Sequence, residues 1–132
     1  MSTPRKKLLL VEDNREHLMA LTVRLKSHGY DVVSAGDGVT AISTVKKEDP
    51  DAILLDLGLP GGDGLVVLER LRSMGHTVGT PVIVVTARPP EGNKREALKH
   101  GVTAFLQKPV RTEELLLALH KALRQHEAVE SS

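Results

Sequence analysis

Short apolar runs alternate along this chain with segments whose apolar positions recur every three or four residues, and polar or glycine-rich punctuation separates the two. The alternation predicts five strand-helix units. The first run, Lys7–Val11, leads through Glu12, Asp13 and Asn14 into a helix that aligns Leu18, Leu21 and Leu25, with Asn14 as its cap and Gly29 as its stop. A second strand over Asp31–Ala35 turns through Gly36-Asp37-Gly38 into a helix carrying Ala41, Ile42 and Val45, closed by Asp49-Pro50. The third strand, Ala52–Leu55, is apolar at every position, as a strand covered on both faces must be. Leu59-Pro60-Gly61-Gly62 stops it, because proline lacks a backbone donor and glycine permits a tight reversal.

Asp63-Gly64 then opens a helix that turns Leu65, Leu68 and Leu71 inward and runs to about residue 74. Pro81 introduces a fourth strand over 82–85 that ends at Thr86, and a loop over 87–92 holds two consecutive prolines. The helix that follows, over 93–100, has few apolar positions and is closed by Gly101. That weakness marks it as an element able to switch. The fifth strand, Ala104–Gln107, ends at Lys108-Pro109, and Arg111-Thr112 leads into a strong helix with Leu115, Leu116, Leu119, Ala122 and Leu123.

Right-handed crossovers between parallel strands put every strand's C-terminal end on one edge of the sheet. The residues that break the apolar pattern all fall there: Glu12 and Asp13, Asp56, Thr86 and Lys108. The fold class read from this alternation is α/β, a doubly wound parallel sheet of (βα)5 type, with the flavodoxin-like strand order 2-1-3-4-5 as the expectation. In that order Asp56 lies between Asp13 and Thr86.

Composition narrows the setting. At 132 residues the chain is one domain, read as residues 1–126 with a short polar tail over 127–132. A formal net charge of +1 gives no general surface for nucleic acid, and the absence of cysteine removes disulfides and thiolate chemistry. The apolar run behind the basic first seven residues is too short for a signal-peptide core or a membrane span. Cytoplasmic location is the default expectation, with no membrane and no direct nucleic-acid partner.

Three carboxylates at adjoining strand ends repel one another by about 4 kcal/mol per pair at 4 Å and an effective dielectric near 20. They need a cation. Magnesium suits an all-oxygen set of one or two carboxylates plus water, and the histidines show no spacing that favours a softer metal. A metal-clamped aspartate beside a lysine ammonium and a threonine hydroxyl can attack phosphorus, with the cations neutralising charge on the phosphoryl oxygens. The product is an aspartyl phosphate. On the repulsion argument, Asp56→Asn is expected to raise the metal-free melting temperature, and magnesium to stabilise the wild type more than the variant.

Four segments carry a family resemblance: Leu-Leu-Val-Glu-Asp-Asn (9 to 14), Leu-Leu-Asp-Leu-Gly-Leu-Pro-Gly-Gly-Asp-Gly (54 to 64), Pro-Val-Ile-Val-Val-Thr-Ala (81 to 87) and Gly-Val-Thr-Ala-Phe-Leu-Gln-Lys-Pro-Val (101 to 110). Together, over nearly the whole chain, they resemble the receiver domains of two-component response regulators. The resemblance implies that Asp56 is the phosphoacceptor and that Asp13, Asp56 and the Gly58 carbonyl form the magnesium site. Glu12, in place of the commoner aspartate, reaches the metal through water. It further implies that Thr86 and Lys108 hold phosphoryl oxygens, that Thr86 and Phe105 form the switch, and that Gly58 and Arg88 tune hydrolysis. The Lys108-Pro109 bond becomes a candidate for the cis form. The implied partners are a histidine kinase or histidine phosphotransfer protein, and a downstream protein target on the face of helix 4, strand 5 and helix 5.

Taken singly, these residues have plainer roles: Asp13 or Asn14 as a helix cap, Asp56 as a solvated strand end, Thr86 as a loop hydroxyl, Lys108 as a surface lysine, Phe105 as a core aromatic. Two rival functions share the fold. One is a phosphorylation-independent interaction module. The other is a magnesium-dependent phosphatase, which lacks a second acid where Gly58 stands. A flavin-nucleotide binder fits less well, because the first loop is acidic where a phosphate cradle needs free donors. No output domain follows residue 125, which leaves a stand-alone regulator and a receiver cut from a longer chain both open.

Overall fold

The computed structural model describes residues 5–59, 64–77 and 79–131, apart from the side chains of residue 76 and residues 125–131. The order of elements is β1 (Lys7–Val11), α1 (Arg15–Ser27), β2 (Asp31–Ala35), α2 (Gly38–Glu48), β3 (Ala52–Leu55), α3 (Gly64–Ser73), β4 (Val82–Thr86), α4 (Asn93–Lys99), β5 (Ala104–Gln107) and α5 (Thr112–Ser131), with a 3-10 turn at Gly75–Thr77. All strand pairs are parallel, and the sheet runs β2-β1-β3-β4-β5. The expected doubly wound topology is the one observed.

Alternation along the central strands builds two separate cores. Leu9, Val11, Ile53, Leu55, Val82 and Val84 point to one face and meet Ile42, Val45, Val67, Leu68, Leu71 and Ala97 from α2, α3 and α4. Their neighbours Leu8, Leu10, Leu54, Ile83 and Val85 point to the other face and meet Leu21 and Leu25 of α1 and Leu115, Leu119, Ala122 and Leu123 of α5. This cover on both faces is why β1, β3 and β4 are apolar from Leu8, Ala52 and Val82 up to their C-terminal ends. At the edge of the sheet, β2 tolerates the exposed Asp31 and Ser34, one on each face.

Local signals account for most element ends. Asn14 caps α1 by accepting from the His17 N–H at 3.0 Å, and Asp37 caps α2 by accepting from Thr40 N–H at 2.7 Å. Three details differ from the sequence reading. Val67 is buried on α3 while Leu65 is only half-buried, because the helix is rotated toward Gly38 of α2. Ala118 joins the buried side of α5. Residues 127–131, read as a tail, continue α5 to Ser131, in keeping with the helix propensity of Glu127 and Ala128. The expected stop at Pro60-Gly61-Gly62 and the helix start at Asp63 lie outside the described residues.

One glycine positions the functional edge. A Cβ on Gly64 would come within 2.4 Å of the Leu57 Cα and 2.6 Å of the Asp56 carbonyl oxygen, so α3 begins pressed against the loop that leaves β3. The Gly64 N–H donates to the Leu57 carbonyl at 2.9 Å, and any side chain there would push the loop away.

Candidate functional site

The polar residues of the C-terminal edge are held by the same ladder that builds the sheet, extended one residue beyond the strands. Glu12 N–H donates to the Ala35 carbonyl at 3.0 Å, Asp56 N–H to Val11 at 3.0 Å, and Lys108 N–H to Thr86 at 2.8 Å. Each side chain therefore leaves from a fixed backbone point at the rim of the sheet. Glu12, Asp56 and Thr86 are buried there, at 3%, 8% and 0% exposure.

The Asp56 carboxylate sits at the centre. Its Oδ1 accepts from the Gly58 N–H and from the Thr86 hydroxyl, both at 2.9 Å, and its Oδ2 accepts from the Lys108 ammonium at 3.0 Å. The Thr86 oxygen in turn accepts from Arg88 N–H at 3.2 Å. Lys108 also donates to Glu12 Oε1, and Glu12 Oε2 accepts from Asn14 N–H at 3.0 Å. Burial alone would raise the Asp56 carboxyl. The Gly58 N–H, the Lys108 and Thr86 hydrogen bonds and the Lys108 charge outweigh it, so its pKa lies below the ordinary aspartate value. Burial would lower Lys108, but the Glu12 and Asp56 carboxylates outweigh it and hold the ammonium above the ordinary lysine value.

These positions correct one expectation. With Lys108 standing between Asp56 and Glu12, the buried pair already has a cation, and the Asp56 charge is favoured by the fold. Relief of repulsion is therefore expected on neutralising Asp13, which lies exposed at the rim, rather than Asp56.

A model of the response regulator receiver domain family matches residues 8–120. The chain belongs to that family. Among solved structures, this receiver is similar to a CheY-like receiver domain protein from Methanospirillum hungatei, with a TM-score of 0.87 and 27% identity over 94% of this chain and 98% of that one. It is similar also to the receiver domain of a sensor histidine kinase from Pseudomonas aeruginosa PAO1, with a TM-score of 0.84 and 31% identity over 91% of this chain and 98% of that one. That receiver's structure has a magnesium ion coordinated in its active-site cleft. A chemotaxis protein of Vibrio cholerae matches with a TM-score of 0.84 and 28% identity over 90% of this chain and 99% of that one. Receiver domains are signalling modules of two-component systems, and no described helix of this one is long and apolar enough to cross a membrane.

The receiver's donor set fits a hard divalent cation. Oxygens of Glu12, Asp13 and Asp56 all lie within 4.8 Å of one another, and the exposed Asp13 leaves the mouth open to the waters that magnesium retains. Gly58, also expected here, is exposed two residues beyond Asp56, to which its N–H is bonded. Phe105 is half-buried and pairs in register with Val84, two residues before Thr86, so the aromatic and the threonine project from the same face of the sheet. The Lys108-Pro109 bond is cis. Glu12, Asp13, Asp56, Gly58, Thr86 and Lys108 thus lie at one edge of the sheet, and Phe105 lies two residues back from it along β5.

Two features escaped the sequence reading: the Glu12–Lys108 ion pair, and His17, whose Nδ1 lies 3.0 Å from the Lys108 ammonium. The signal for His17 was its place in the first turn of the helix after the acidic pair. Metal-ligand spacing does not detect it.

Proposed function

We propose that this receiver accepts a phosphoryl group on Asp56 from the phosphohistidine of a histidine kinase or histidine phosphotransfer protein, in a magnesium-dependent reaction. The observation that supports it is the Asp56 carboxylate, ionised and held by three donors, of which Thr86 and Lys108 come from adjoining strand ends. An Asp56 oxygen attacks phosphorus and the P–N bond breaks. The electron pair returns to the imidazole nitrogen, which takes a proton from solvent, and an acyl phosphate remains. Glu12 through water, Asp13, Asp56 and the Gly58 carbonyl would hold the metal, which supplies positive charge against the phosphoryl oxygens. Lys108 and Thr86 then turn from the carboxylate to the phosphoryl group.

The phosphoryl group carries about −2 charges, a net gain of about one negative charge over the ionised carboxylate, enough to draw the Thr86 hydroxyl away from Arg88 N–H and to let Phe105 move inward behind it. The readout is the α4–β5–α5 face, which binds a downstream protein. Gly58 and Arg88, flanking the acceptor, set the hydrolysis rate. The domain acts on itself alone, in the cytoplasm.

The test is intact mass after incubation with magnesium and acetyl phosphate, beside a receiver of known competence. One added phosphoryl group is expected, absent when EDTA replaces magnesium. No addition, with the control receiver labelled, would overturn the proposal in favour of a phosphorylation-independent module.

A further inference from the structure

We infer that His17 is a positioning residue for Lys108: its imidazole Nδ1 takes one ammonium N–H and thereby aims another at the phosphoryl site. His17 stands on the first turn of α1 with its side chain half-exposed, and its Nδ1 lies 3.0 Å from Lys108 Nζ and 3.9 Å from Glu12 Oε1. An ammonium has three donors and no acceptor. Those three donors go to Glu12 Oε1, Asp56 Oδ2 and His17 Nδ1, so Nδ1 is the unprotonated nitrogen and Nε2 carries the ring proton.

Rotation about the end of a lysine chain is otherwise free, and two fixed partners on the N-terminal side of α1 remove that freedom. The donor now on Asp56 is then the one left to follow the phosphoryl group. The ring borders an open cavity of about 320 Å³, shared with Leu21, Arg24, Val85 and Pro109.

The catalytic consequence rests on the phosphoacceptor proposal, whereas the contact itself does not, and two measurements separate them. The first is the 15N spectrum of His17 in the metal-free protein at about pH 8.5, where an ordinary imidazole is neutral. The Nε2–H tautomer is expected to dominate, with its share falling in Lys108→Met. An Nδ1–H tautomer, or a tautomer ratio indifferent to Lys108, overturns the inference.

The second measurement is the rate of phosphorylation by acetyl phosphate in saturating magnesium. Loss of one hydrogen bond to a charged group predicts that His17→Ala is slowed roughly 3- to 10-fold. His17→Asn, whose side-chain oxygen can accept in the same place, recovers to within about twofold of the wild type on the same reasoning. Equal rates for His17→Ala and wild type, or no recovery in His17→Asn, overturn the positioning role. Matching melting curves exclude a folding defect as the cause of slowing. A wild type that takes no phosphoryl group overturns the phosphoacceptor proposal, and the tautomer measurement then decides alone whether His17 holds Lys108.

Discussion

The two helices that flank β5 are held by different means. α5 presents Leu115, Ala118, Leu119, Ala122 and Leu123 to the core, while α4 offers it Ala97 and leaves Leu98 51% exposed. No side chain caps the start of α4, which follows Gly92 at a φ of 77°. Its far end is held by a guanidinium: Arg72 of α3 donates from Nε to the His100 carbonyl at 2.7 Å and from Nη1 to the Thr80 carbonyl at 2.9 Å. Apolar area fixes one flank and a few polar contacts fix the other. A small force at Thr86 or Lys108 can therefore shift α4 without unseating α5, as the proposed switch requires.

The sharpest way to break this contrast is a pair of truncations. Leu119→Ala empties a fully buried site and should cost about 2–5 kcal/mol, whereas Leu98→Ala should stay within about 0.5 kcal/mol, both read from urea denaturation. Similar losses would mean that the two helices are equally embedded. A narrower probe is Arg72→Ala, which leaves helix-end carbonyls without their donor and should cost about 1–3 kcal/mol. Hydrogen exchange should speed up over 93–101 and stay unchanged over 112–123. Acceleration spread evenly over both segments would deny Arg72 its local role.

The cup between the flanks adds a smaller, pH-dependent effect. Asp56 is shifted down on folding, so the stability it lends is complete above the ordinary aspartate value and is lost as pH falls through its lower folded value. Lys108 is shifted up, so its contribution is complete below the ordinary lysine value and is lost as pH rises through its higher folded value. Lys108→Met should flatten both limbs in urea midpoints measured against pH. Persistence of both limbs would assign them to other groups. A modest effect is expected for Asp13→Asn, a rise of a few degrees in the metal-free melting temperature, roughly 1 kcal/mol, with magnesium stabilising the wild type more than the variant. Equal magnesium responses would place the metal away from Asp13.

Much of this was legible because strand and helix periods differ. The unbroken run Ala52–Leu55 demanded cover on both faces, and the placement of Glu12, Asp13, Asp56, Thr86 and Lys108 followed from parallel topology alone. The depth of α4 was legible too, since 93–100 has too few apolar positions to bury. Side-chain partners were not. That Lys108 bridges Asp56 and Glu12, and that His17 reaches the same ammonium, depends on chain lengths and rotamers converging from β5, β3, β1 and α1, which no period along one segment encodes. The contact of Gly64 with Leu57 was hidden for the same reason, since it lies between a helix start and a loop.

The most direct test of the phosphorylated cup is to locate the phosphoryl group on the chain. After acetyl phosphate treatment in magnesium, borohydride reduction converts an acyl phosphate to an alcohol, and peptide fragmentation reads its position. Reduction at Asp56 alone, and at no residue in Asp56→Asn, is the predicted result. Modification at another carboxylate, or labelling that persists in Asp56→Asn, would contradict it.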